Sequence, residues 1–217
     1  MKRIYSVIFL IFLPTILFSQ WSNWSISASV AGGISEVDNP STKFYKKDSK
    51  GKIGADMALT VRYSIWRFYA SSGIGFQTFK SQCGYTMTST SIRYNELNPD
   101  LSYSNLYIPV YVGFKYNRWR VYPVAEAGIN VNFPIGLKDR VVIGNDITDV
   151  VGNPKAVTFS YVAQGGVGFA FSQQWSLEAK FKYLKSLNVS EDKESTGKDY
   201  KSTWTFMGGQ VSMVLRF

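Results

Sequence analysis

Asp56, Arg62, Lys115, Glu126, Glu178, Lys180, Lys182 and Arg216 all fall on the polar phase of alternating segments. Three carboxylates and five cations of one parity could act as acid and base, pass ions or protons, or pair into an inert network. The chain has no histidine, so an imidazole base is excluded. A carboxylate pair or a Ser–Lys pair can replace one in principle. No spacing marks such a site, so no catalytic residue is assigned and the chain is read as a non-enzyme. No metal cluster is visible. Gly165-Gly166-Val167-Gly168 lacks the strand–turn–helix setting of a nucleotide loop and reads as close packing within a strand. Cofactor and metal expectations are therefore none. The single cysteine, Cys83, excludes an internal disulfide framework. An unpaired buried charge costs several kcal/mol, so the eight residues are expected to pair and plug an interior. The rival is a narrow gated pore or proton path, for which a small barrel leaves little room.

What must position these residues is a set of strands. Eight segments alternate with a two-residue period: 24–34, 52–65, 67–79, 105–116, 119–133, 157–171, 175–185 and 203–217. In 52–65, Ile53, Ala55, Met57, Leu59, Val61, Tyr63 and Ile65 oppose Gly54, Asp56, Ala58, Thr60, Arg62 and Ser64. No amphipathic period of 3.6 occurs. Short turns lie near Trp66, at Asn117–Arg118 and at Ser172–Gln174, and long polar loops at 35–51, 80–104, 134–156 and 186–202. Three short turns, four long loops and both ends on the short-turn side predict an eight-stranded antiparallel up-and-down transmembrane β-barrel.

The composition of the two faces sets the orientation. A soluble barrel coats its polar face with Lys and Glu. Here that face is mostly Ser, Thr, Gly, Gln, Asn and Tyr, which suits a crowded interior. In hydrocarbon every backbone polar group needs an internal partner, so the sheet must close. Trp24, Tyr63, Trp66, Phe68, Tyr116, Trp119, Phe171, Trp175 and Phe217 lie beside the short turns with the parity of the apolar face. They predict an aromatic girdle at one membrane boundary. Pro109 removes a ladder donor where no edge exists, which predicts a bulge, or a carbonyl satisfied by inward Tyr107 or Tyr111.

Lys2 and Arg3, the apolar run Ile4 to Phe18 and Ser19-Gln20 read as a secretory signal peptide, residues 1–19, ahead of a barrel over 20–217. Without it, 22 Lys and Arg against 15 Asp and Glu give +7 where the full chain has +9. The Ile4 to Phe18 run is too short and too closely followed by strands for a membrane helix, and no other long apolar run exists. Loop lysines Lys43, Lys46 and Lys47 form a cationic patch suited to lipopolysaccharide phosphates. Mixed-sign loops on a membrane barrel argue against nucleic acid.

Leu106-Tyr107-Ile108-Pro109-Val110-Tyr111-Val112-Gly113-Phe114-Lys115-Tyr116 resembles a strand of the Bacteroidetes outer-membrane β-barrel domain family, often called PorT-like. Pro123, Ala127-Gly128, Gly165–Gly168 and Leu177-Glu178-Ala179-Lys180-Phe181-Lys182-Tyr183 are similar to its later strands, with Lys180-Phe181 where the family usually has Arg-Tyr. The resemblance covers nearly all of residues 20–217. It implies an outer-membrane barrel and accessory work for a secretion or assembly machine, while the short-turn and long-loop pattern puts the short turns and both termini in the periplasm and the long loops outside. Terminal Phe217 resembles the signal read by the barrel-assembly machinery, a partner during insertion. The reading that follows is a small barrel with a side-chain-filled lumen, in contact with lipid and lipopolysaccharide, serving a structural or interaction role through its loops.

Overall fold

The structure is a computed structural model describing residues 23–38, 45–87, 100–116, 119–143, 146–151, 156–187, 191–193, 199–201 and 203–217. Every regular element among them is a strand. They are β1 (Trp24–Asp38), β2 (Tyr45–Ile65), β3 (Phe68–Met87), β4 (Asp100–Lys115), β5 (Val121–Ile143), β6 (Asp146–Val151), β7 (Thr158–Ala170), β8 (Trp175–Leu187), β9 (Glu191–Lys193), β10 (Asp199–Lys201) and β11 (Thr203–Arg216).

Eight of them close into an antiparallel barrel in the order β1-β2-β3-β4-β5-β7-β8-β11, with β11 returning to β1. Following direct cross-strand partners once round measures the stagger. Ser25 leads through Arg62, Ser71, Tyr111, Gly128, Val162, Leu184 and Phe206 back to β1 at Ser35, a shear of 10 residues. For eight strands with ordinary spacings, that shear corresponds to a tilt of roughly 40° and a radius of about 8 Å. Ten tilted residues then rise about 25 Å, the height of an outer-membrane barrel's apolar band.

The alternation holds all the way round, inside out relative to a soluble protein. Ile53 is 80% exposed on the outer wall, Ile74 67% and Val112 67%, whereas inward-facing Arg62 is 4% exposed and Glu178 1%. Ser25 pairs with Arg216 at the same end as the β2–β3, β4–β5 and β7–β8 connections. Both strand ends thus lie with the three short turns.

Two expectations need correction. The strands run past the segments read from alternation: β2 starts at Tyr45, β3 continues to Met87, β4 starts at Asp100 and β5 continues to Ile143. Much of what read as long loop is ladder, extended by β6 paired with β5 and by the β9–β10 hairpin. Backbone pairing needs no apolar face once a strand projects beyond the greasy band, so alternation fades before the ladder does. Second, no bulge forms at Pro109. Ser72↔Val110 and Gly75↔Tyr107 keep one register across it. The Tyr107 and Tyr111 hydroxyls instead donate to Asp56 Oδ1 at 3.0 Å and Asn130 Oδ1 at 2.6 Å. The irregularities lie between Ser104 and Asn105, opposite Pro134, and between Gly51 and Ala55.

Four of the direct pairs join an inward glycine to a tyrosine: Gly75↔Tyr107, Tyr69↔Gly113, Tyr122↔Gly168 and Tyr111↔Gly128. In the first three the ring lies across its glycine. A Cβ built on Gly113 would stand 2.3 Å from Tyr69 Cζ. The ring cannot swing clear cheaply, because the Tyr69 hydroxyl donates to Glu126. Gly113→Ala will therefore cost about 1–3 kcal/mol from overpacking, read as a lower urea midpoint for the folded barrel; Val112→Ala, on the outer wall, is the comparison.

Candidate functional site

Period two turns all eight predicted charges inward, and the structure sorts them into three groups. Arg62, on β2, is central. It reaches three strands away in each direction, to Glu126 Oε1 on β5 at 2.9 Å and to Glu178 on β8 at 3.0 Å. Lys180 closes the quartet, 3.2 Å from Glu126 Oε2 and 3.3 Å from Glu178 Oε2. The Tyr69 hydroxyl and the Gln164 amide also donate to Glu126, and Tyr122 donates to Glu178 at 3.3 Å. The second group is a pair: Lys182 on β8 lies 3.1 Å from Asp56 on β2, which also accepts from Tyr107.

Lys115 and Arg216 form the third group, and here the expected pairing fails. Neither has a carboxylate within salt-bridge distance among the described residues. Lys115 donates to Ser64 Oγ at 2.9 Å and lies over the Tyr69 ring. Arg216 donates to the Tyr122 hydroxyl at 3.2 Å and to Ser176 at 3.4 Å. Both lie near the short-turn end, where their strands β4 and β11 finish.

The long-loop end of the lumen holds a group that the sequence reading missed. Phe79, Tyr103, Trp204 and Phe206 are buried inside the barrel. Tyr103 and Trp204 stack at 5.7 Å between centroids, Phe79 and Trp204 at 5.9 Å, and Phe206 tilts against Phe79 at 5.9 Å. The parity that sends Gln210 and Ser212 inward sends Trp204 and Phe206 inward too. The signal was present and was hidden by equating greasy with outward. Between plug and charges lies an amide and hydroxyl layer, with Gln77 donating to Asn132 at 3.2 Å and Asn132 to Ser160 at 2.6 Å.

A cavity of about 10 Å³ lies among Arg62, Glu126, Gln164, Lys182 and Gln210, room for roughly one water-sized sphere. Arg62 Nε, Gln164 Oε1 and Gln210 Oε1, all buried, have no hydrogen-bond partner there.

On the outer wall, the aromatics beside the short turns touch one another. Trp24 and Tyr63 are 4.9 Å apart, Tyr116 and Trp119 5.8 Å, and Phe68 and Phe114 5.5 Å. Phe171 and Trp175 flank the β7–β8 turn, and the Phe217 amide donates to the Trp24 carbonyl at 3.1 Å. Trp66 occupies the β2–β3 turn with φ 59°, a left-handed conformation that disfavours a bulky side chain. The Arg67 guanidinium bridges the Trp66 and Tyr116 rings at 4.5 Å from each. Residues 1–19, Asn117, Arg118 and Lys43 lie outside the described residues, as do the side chains of Lys46, Lys47 and Cys83.

No protein-family model matches the sequence, and comparison with curated proteins gave no match. Among solved structures the chain is similar to Neisserial surface protein A, with 11% identity, TM-score 0.47, and coverage of 89% of this chain and 97% of that one. It is also similar to the outer membrane protein OprG from Pseudomonas aeruginosa, with 11% identity, TM-score 0.41, and 86% and 95% coverage. A third is Ail, the attachment invasion locus protein of Yersinia pestis, in complex with the heparin analogue sucrose octasulfate, with 15% identity, TM-score 0.36, and 88% and 99% coverage.

Proposed function

We propose that this chain is a small outer-membrane β-barrel with a sealed lumen, serving a structural or interaction role through its long-loop end. The observation that carries this reading is the inverted wall, with exposed Ile, Val, Leu and Phe outside and a cross-linked ionic interior. In water that wall would be an apolar patch far beyond what a soluble monomer leaves uncovered. In a bilayer it meets lipid, and the aromatics beside the short turns form the girdle at the periplasmic boundary. Residues 1–19 direct export, the short turns and both termini of residues 20–217 face the periplasm, and the long-loop side meets lipopolysaccharide. Lys43, Lys46 and Lys47 are the lipopolysaccharide contacts, and Phe217 is the assembly signal. The chain has no histidine, so catalysis through an imidazole base is excluded.

Heat-modifiable gel mobility of the detergent-purified protein tests the barrel, and membrane fractionation tests its location. Expected are a boiling-dependent shift and recovery in the outer-membrane fraction; a soluble protein with unchanged mobility would overturn the proposal. In planar bilayers, no single-channel steps are expected, because the Arg62, Glu126, Glu178 and Lys180 side chains cross-link the lumen and the cavity beside them measures about 10 Å³, room for roughly one water-sized sphere. The accessory secretion role rests on the PorT-like resemblance. Its test is a native-membrane pull-down, which would have to return a stoichiometric partner.

A further inference from the structure

Among the described buried charges of the lumen, balance fails only at one end. The quartet Arg62, Lys180, Glu126 and Glu178 is neutral, and so is the pair Lys182 and Asp56. The surplus is Lys115 and Arg216, both at the short-turn mouth. Arg67 and Arg120 stand on the same rim, and the strand ends there contribute no carboxylate side chain beyond the two in the quartet. Lys115 is 8% exposed, so its half of the surplus is buried, while Arg216 is partly exposed at the edge. Such a charge in a low-dielectric interior calls for a counter-charge. The mouth is also equipped with donors. Lys115 Nζ has used one of three on Ser64, Arg216 Nε is buried without a partner, and the Ser64, Ser176 and Tyr122 hydroxyls stand beside them.

We propose that this mouth is an oxyanion site, in which Lys115 and Arg216 together hold a phosphoryl or carboxylate group entering from the short-turn side. Lys115 supplies a point charge and Arg216 a planar fork, the two kinds of donor used for such groups. The hydroxyls complete the ring of donors. This inference needs the folded barrel but not the membrane placement, so it can fail while that reading stands.

The test uses the full barrel folded in zwitterionic detergent, titrated calorimetrically with sodium phosphate and separately with sodium acetate. Sodium chloride fixes the ionic strength. One saturable site is expected with at least one of the two. Saturation by phosphate assigns a phosphoryl ligand, and saturation by acetate alone a carboxylate. Lys115→Met and Arg216→Met should each weaken binding about tenfold or more, as loss of a charged hydrogen bond does. Arg120→Met, on the exposed rim, should change it less than about twofold, because its charge is screened. Heat-shifted mobility checks that each variant is folded. Arg216 lies at the partly exposed edge, so its variant keeps the test open if Lys115→Met does not fold. No saturable heat above chloride, unchanged binding in Arg216→Met, or equal weakening in Arg120→Met would each overturn the site.

Discussion

Replacing Arg62 with methionine will cost the folded barrel about 3–5 kcal/mol, the penalty for removing one partner from a buried charge network. Arg62 ties β2 to β5 and β8 across the lumen, meeting Glu126 at 2.9 Å and Glu178 at 3.0 Å, and packs over the Tyr69 ring. Without it, two buried carboxylates share Lys180 alone, and the quartet carries a net negative charge. Urea unfolding of the barrel, with folded fraction read by heat-dependent mobility, measures the loss. The sign of the electrostatic part is checked by a second change. Arg62→Met with Glu178→Gln restores neutrality, so it will recover more than half of the loss, although Glu178→Gln alone destabilises. If the double variant is no better than Arg62→Met, packing and not charge sets the cost. A loss below about 1 kcal/mol, the scale of an exposed ion pair, would mean that the lumen is hydrated enough to screen the network.

Legibility in the sequence follows from what each feature depends on. Facing depends on period two alone, so Arg62, Glu126 and Glu178 could be placed inside without knowing which strands meet. The outward facing of Trp66, Phe68, Trp119, Phe171 and Trp175 beside the short turns was readable for the same reason. Partnership depends on register, and register round a closed barrel emerges only from the shear of 10. That is why Asp56–Lys182 and Tyr69↔Gly113 could not be read, and why a blanket expectation of pairing failed at Lys115 and Arg216. Strand length was underestimated for another cause. The ladders through Lys46, Gln82 and Asp139 run where polar residues fall on both faces, so composition no longer reports the pleat.

Trp204→Ala is the counterpart at the other end of the lumen and will cost about 3–5 kcal/mol, as truncation of a packed tryptophan does. The Trp204 ring packs against both Phe79 and Tyr103, which also stack on each other at 6.3 Å, and the Trp204 backbone amide donates to Ser186 Oγ at 2.8 Å. A closed barrel cannot collapse onto the vacated space without shortening its ladders, so the cavity term stays large. Two independent readouts follow. The near-ultraviolet circular dichroism from the stacked rings will fall, while the bilayer will still show no conductance, because the charge network below continues to fill the lumen. The plug and the network share no direct partner: Trp204 touches Phe79, Tyr103 and Ser186, and Arg62 touches Glu126, Glu178 and Tyr69. Their effects will therefore add within about 0.5 kcal/mol in Arg62→Met, Trp204→Ala. Only that double variant, with both obstructions weakened, is expected to leak ions. Conductance from Trp204→Ala alone would show that the aromatic cluster, and not the ionic layer, is the seal.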